Sequence, residues 1–295
     1  MSDKTKNSNK TDFLFIFIPM LVASLLPEII SYLIFNQVPT AIVFVKIGLI
    51  GYFMSTSFAM KVKNSTRFYL ILIFINVAQL INATVGTSEF FLSLLDASTF
   101  SGVFGGAILL KMLGALLVFF ILIFSFNSPS KAFIGRGDDK KTVGDRESDK
   151  SLTWKMISIP AGMVMGLVIS VLIFAINNAS PDFTNLGFII SSLPIIIVLA
   201  MLNSLSEGLM YRSAIIASLH NSLTKKQVII VATTIFALAQ FFEPFGGLLG
   251  VLVNIVIGYV LSLSVYETGG FKNAWMMHFI KDFIIFSSLL MVTFM

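Results

Sequence analysis

The chain has 295 residues, 56% of them hydrophobic and 12% charged, with 30 Phe and a mean hydropathy of +0.92. Water-soluble domains do not carry that composition, so the fold class expected is all-α, a polytopic transmembrane helical bundle. The absence of Cys excludes disulfides, thiolate catalysis and Cys-ligated metal, and the net charge of +5 reads as membrane topology, with no nucleic-acid partner expected.

The polar start MSDKTKNSNKTD runs into an apolar stretch of full spanning length with no small-residue cleavage site, so a retained first helix is expected. Apolar windows of spanning length fall near 13–35, 38–60, 68–86, 102–126, 156–176, 187–206, 227–243, 247–266 and 273–294, which predicts about eight to nine spans. Lys4, Lys6 and Lys10 precede the first window, and Lys61, Lys63 and Arg67 follow the second. Lys131 to Lys155 follow the fourth, Lys225 and Lys226 precede the seventh, and Lys272 precedes the ninth. The alternate connections, holding Gln37, Glu89, Asp96, Asp182 and Glu243, contain no Lys or Arg. Short cytoplasmic loops collect basic residues, so the N-terminus is expected in the cytoplasm and the C-terminus outside.

The charged, Gly-containing segment after the fourth window lacks an apolar period and reads as a flexible cytoplasmic linker. It divides the chain into a four-span N-terminal membrane region (1–127), the linker (128–155) and a C-terminal membrane core (156–295). The stretch from Leu186 to His220 is longer than one straight span needs, which predicts a kink at Pro194 or an extension beyond the bilayer.

The C-terminal core holds the ionisable groups that point to function, since a charge at bilayer depth is costly and marks a site by default. Counting helix rise from the cytoplasmic boundaries puts Glu207 and Gln240 about 20 Å deep, Asp282 about 15 Å and His278 about 9 Å. His278 and Asp282, at i and i+4, share a helix face. A common polar cavity is the economical arrangement, because isolated polar groups at that depth would each need a separate partner. Several structural readings compete with it. Glu207 pairs with Arg212 or Lys281, Gln240 serves as a helix–helix hydrogen-bonding residue, or His278 simply packs. His220 reads as a solvated loop residue, Lys46 and Lys111 as intramembrane or snorkelling cations, and Glu28 as lying toward the external end of the first span, none of these with a role. No cofactor is expected. Two His, no Cys and no HExxH exclude a conventional zincin, leaving a divalent ion on Glu207, His278 and Asp282 as the remaining metal alternative; no GxSxG elbow marks a serine nucleophile.

Three short patterns resemble those of the CPBP intramembrane proteases, also called the Abi or type II CAAX-processing family: Glu207-Gly208-Leu209-Met210-Tyr211-Arg212, then Phe236-Ala237-Leu238-Ala239-Gln240, then His278-Phe279-Ile280-Lys281-Asp282. The family pattern is Glu-Glu-x-x-x-Arg, Phe-x-x-x-His and His-x-x-x-Asn or Asp on successive membrane helices; Gly208 and Gln240 depart from it. The resemblance implies an intramembrane endopeptidase of the bacterial plasma membrane that hydrolyses a membrane-embedded or membrane-associated peptide or protein near the cytoplasmic half of the bilayer. Glu207 would activate a water, Gln240 would hold it in place of the family His, Arg212 would complete the first motif, and His278 with Asp282 would stabilise the oxyanion. It equally implies an alternative, a catalytically silent relative acting as a bacteriocin-immunity or regulatory scaffold in the membrane. A small transporter with a polar mid-membrane site is a third reading.

Overall fold

The structure, a computed structural model, describes residues 10–60, 62, 65–96, 99–145, 152–181 and 186–293. Lys4, Lys6, Lys61, Lys63, Lys150 and Asp182, used above for sidedness, lie outside the described residues. The described chain is a bundle of apolar helices with no strand ladder among them, as the composition requires. Backbone polar groups in lipid must be satisfied within the segment that carries them, and a helix does that locally.

The N-terminal region contains α1 (Lys10–Ala23), α2 (Leu26–Phe35), α3 (Ala41–Ala59), α4 (Ser65–Val85), the short α5 (Glu89–Ser93) and α6 (Phe100–Phe126). The core contains α7 (Trp154–Ile176), α8 (Leu186–Gly208), a π-helical turn (Leu209–Ser213) running into α9 (Ala214–Leu219), α10 (Lys225–Ala239), α11 (Gly247–Thr268) and α12 (Lys272–Thr293). Among the described residues seven helices are long and apolar enough to cross a membrane, and the count is eight if α1 and α2, bent by 49° at the break between them, form one span. The window at 227–243 falls short of a span. Its helix α10 has 15 residues and ends at Ala239, with Gln240 as its C-cap and a non-helical turn beyond; at about 1.5 Å per residue it is shorter than the hydrocarbon core.

The long 187–219 stretch is a single 33-residue span. Pro194 lies inside α8, and the departure from α geometry comes later, at the π turn, which follows directly on Glu207-Gly208. Single π turns are uncommon and recur at functional sites.

Small residues set the closest approaches in the core. Gly162 and Gly166, one turn apart on α7, lie against α12: a Cβ at Gly162 would come within 2.7 Å of the Met277 carbonyl oxygen, and one at Gly166 within 2.9 Å of the Ile284 side chain. Membrane helices gain packing contact this way, where no hydrophobic drive separates protein from lipid. Outward faces of α3, α6, α7 and α11 remain apolar and exposed, as with Phe44, Phe120, Val171 and Val256.

The segment after α6 is folded where it is described. Instead of forming a free linker, residues 128–145 lie as a strap across one end of the core. Gly135 O accepts from Phe271 N (2.8 Å), Asp138 N donates to Thr268 O (2.8 Å), and the hydroxyl of Ser213 donates to Phe133 O (2.9 Å). Asp139 gathers Lys272 (2.7 Å) and Arg136 (2.9 Å), and these charge-assisted bonds hold its carboxyl down to about 2. Glu267 completes the end, accepting from Lys225 (2.7 Å), Trp154 Nε1 (2.9 Å) and Gly144 N (3.0 Å). Charge mixing suggested solvation; the structure uses Asp139 as a partner for Lys272 and Asn273 of α12 and backbone N–H groups of the strap for Glu267 and Thr268 of α11.

Candidate functional site

The π turn explains how the first motif assembles. On a regular α-helix residues five apart point about 140° away from each other. The i→i+5 pattern of a π turn narrows that angle, and both residues are turned into the core, each 1% exposed. They do not pair with each other. Arg212 Nη1 lies 2.9 Å from His278 Nδ1 and its guanidinium stacks 4.0 Å over the Phe236 ring, an arrangement that offsets the cost of a buried cation. Gly258 on α11 leaves room for that ring, since a Cβ there would meet Phe236 at 2.7 Å.

Arg212 also fixes the histidine's chemistry. Guanidinium nitrogens only donate, so Nδ1 of His278 must accept, and the ring is the neutral tautomer with its proton on Nε2. That N–H lies 3.4 Å from Glu207 Oε2 and 3.4 Å from Asp282 Oδ2 and forms a hydrogen bond to neither. A fully buried donor is therefore aimed between two carboxylates.

Glu207 is surrounded by donors. Lys111 Nζ, from α6, donates to Oε1 at 2.7 Å, and Gln240 Nε2 donates to Oε2 at 3.2 Å. Lys111 also donates to Asn203 Oδ1 (2.9 Å) and Glu243 Oε1 (2.9 Å). Asn203 in turn donates to Asp282 Oδ2 (2.9 Å), whose other oxygen accepts from Lys281 (2.9 Å). Three carboxylates, Glu207, Glu243 and Asp282, are thus balanced by Lys111, Lys281 and Arg212, which is how a lipid-embedded core tolerates so many charges.

Glu207, Gln240 and Asp282 line one cavity of about 50 Å³, closed on its apolar side by residues such as Ile169, Phe245 and Phe286. It has room for a few waters and not for a peptide. His278 lies just behind the carboxylates, 0% exposed.

Sequence reasoning missed four contributors. Lys111 was left without a role, although a lysine in the middle of a 27-residue apolar helix is itself a signal. Asn203 stands four residues before Glu207 and so shares its face. Glu243 read as a loop residue, yet the turn after α10 brings it back to Lys111. Asn254 lines the cavity with its Oδ1 unpartnered and had no motif to reveal it. The expected pairing of Glu207 with Arg212 or Lys281 gives way to Lys111, because those two cations are taken by His278 and Asp282. His220 accompanies the Phe133 ring at 5.0 Å instead of standing free in solvent. In the N-terminal region Lys46 and Glu28 form a buried pair at 2.6 Å, with Gln79 at 2.9 Å from the ammonium.

Both motif departures have a physical setting. A Cβ at Gly208 would approach the Phe271 ring to 2.4 Å, so the aromatic ring occupies the space a second Glu would need. Gln240 reaches Glu207 as an amide donor, a contact that a neutral His can also make; an amide cannot take over the proton relay that a His performs. A divalent ion fits poorly on Glu207, His278 and Asp282: ammonium groups already engage both carboxylates, and among the described residues no three His, Asp or Glu side chains are arranged to hold one.

Fold and site together define a polytopic helical membrane protein built around a water-sized cavity with a charge-balanced carboxylate at its wall. Residues 189–284, about a third of the chain, match the family model of type II CAAX prenyl endopeptidase Rce1-like proteins, in agreement with the motif resemblance, and this segment is of that intramembrane-protease kind. The match spans every motif residue and excludes Lys111. No curated protein and no solved structure matches the chain.

Proposed function

We propose that the protein is an intramembrane endopeptidase in which Glu207 activates a water held in the cavity. One observation supports this above the others: polar residues of three separate helices, Glu207, Gln240 and Asp282, border one small hollow inside the apolar bundle. In this reading a water accepts a hydrogen bond from Gln240 or gives one to its Oε1, and loses a proton to Glu207 as it attacks the scissile carbonyl carbon. The developing oxyanion accepts from His278 Nε2–H, the donor left unpaired in the resting site. Glu207 then passes its proton to the departing amine nitrogen as the C–N bond breaks. Asp282, tied to Lys281 and Asn203, is an acceptor and not a donor; its part is to balance charge, while Arg212 orients His278. The substrate class is a peptide segment within or against the bilayer.

The test compares membrane proteomes of cells producing the protein and its Glu207→Gln variant, with enrichment of new N-termini. Termini found with the unaltered protein and lost in the variant support proteolysis; identical sets refute it.

A second reading, a silent membrane scaffold of the immunity or regulatory type, draws on the Lys111–Glu207 pair, which occupies a lone pair of the base. It is favoured if the biological effect survives Glu207→Gln and if Gln240→His creates no new cleavage.

A further inference from the structure

The two ends of the bundle differ in charge, and the cavity lies in one of them. The strap, the α11–α12 turn and the α9–α10 turn share one end, joined by the Lys272–Asp139 and Lys225–Glu267 pairs. Measured along the helices from that end at about 1.5 Å per residue, the cavity-lining residues Ile169, Asn203, Glu207, Asn254 and Ile285 stand roughly 20 Å away, and Lys281 and Asp282, the nearest of the lining, about 15 Å. Glu243, Pro244 and Phe245, which also line it, belong to the turn beyond the far end of α10. Between the cavity and the strap the core is shut: Arg212, Phe236, Met277 and His278 are each at most 1% exposed. Glu243, with a side chain 37% exposed, is where the network reaches the surface.

Lys46, Lys111, Arg212 and Lys281 are inside the bundle. Every other Lys and Arg in the sequence lies at or before the first residue of α1, in the first turn of a helix that starts at the strap end (Arg67, Lys155, Lys225, Lys226 and Lys272), or in the sequence between α3 and α4 or between α6 and α7, and the sequence of the alternate connections contains Glu89, Asp96, Asp182 and Glu243 and no basic residue. The retention of basic connections in the cytoplasm places the strap inside the cell and the cavity mouth outside.

We propose that the site is watered and loaded from the non-cytoplasmic face, so that its substrate is an extracellular peptide or the outward-facing segment of a membrane protein. This deepens the endopeptidase reading and rests on it for the word substrate; the direction of access stands apart from catalysis. A peptide presented from the cytoplasmic leaflet, such as a prenylated C-terminus, meets the packed Arg212–His278 layer, and the expectation of cleavage near the cytoplasmic half of the bilayer is replaced.

The chain has no Cys, so single-cysteine labelling tests this directly on the full-length protein. Pro244→Cys is placed at the mouth, Ile285→Cys on the cavity wall and Lys140→Cys on the strap, and each is exposed to a membrane-impermeant thiosulfonate in intact cells and in inverted vesicles. We expect positions 244 and 285 to react at least tenfold faster in intact cells, and position 140 to react at least tenfold faster in inverted vesicles. Reversed sidedness overturns the proposal, and so does reaction of position 285 from the strap side or from neither side. Each variant's detergent-extracted monomer is checked by size-exclusion chromatography, and Leu248→Cys, on the exposed start of α11, reports the same end should Pro244→Cys fail to fold. These results do not depend on cleavage: outward labelling with unchanged termini in Glu207→Gln removes the protease reading and leaves the sidedness intact.

Discussion

Lys111→Met is the most informative perturbation, because it joins the two halves of the chain through one ammonium. The side chain is 15% exposed and bonds Glu207, itself 1% exposed, at 2.7 Å. Removing one member of a buried pair leaves an uncompensated charge and costs about 3–5 kcal/mol. Glu243 adds no more than about 1 kcal/mol, since its side chain is 37% exposed and solvent screens it. Glu207→Gln keeps an acceptor for Lys111 and is expected to cost less. The double variant Lys111→Met/Glu207→Gln removes both charges, so it should recover about 2–3 kcal/mol relative to the sum of the singles. Unfolding in mixed micelles by added SDS, followed through the fluorescence of Trp154 and Trp275, reads these differences. A Lys111→Met variant within about 0.5 kcal/mol of the parent, or a strictly additive double variant, would refute the argument that this pair holds the base.

Gly208→Glu, which restores the family's second acid, is expected to lower folded yield in detergent because of the 2.4 Å approach to Phe271, with partial rescue by Phe271→Ala; equal yields for Gly208→Glu with and without the rescue would contradict the steric account. Gly166→Leu should separate α7 from α12 and lower the apparent melting temperature by several degrees, an overpacking cost of about 1–3 kcal/mol, measured by fluorescence-detected chromatography of heated samples. Asp139 is depressed from 3.8 to about 2 in the folded state, so its contribution is fully present above pH 4 and fades as pH falls toward 2. Protease cleavage in the strap should therefore rise as pH drops through that range, using an acid-active protease, and Asp139→Asn should be cleaved readily at neutral pH and lose the acid dependence.

The helical class, the position of most spans and the three motif segments were legible because they follow from local quantities: apolar length, period and the rarity of charge in lipid. What escaped depended on tertiary partners. Lys111 sits in an apolar helix far from the motifs, and nothing in its own neighbourhood names Glu207, 96 residues away, as its counterion. The π turn left no composition signal, so nothing in the sequence pointed Arg212 toward His278 and the Phe236 ring. The strap reads as linker because its apolar content is low, yet it is held through backbone carbonyls and Asp139, contacts that composition does not encode. The window at 227–243 counted as a span because Gln240 and Phe241 look tolerable in lipid; the helix stops where Gln240 is needed to face Glu207.

Glu243 stands on the loop that roofs the hollow, and it shares one ammonium with the carboxylate proposed as the base. A change at the loop therefore reaches the buried carboxylate through a single ammonium: drawing Glu243 away leaves Lys111 to Glu207 and Asn203, and holds that carboxylate the more tightly.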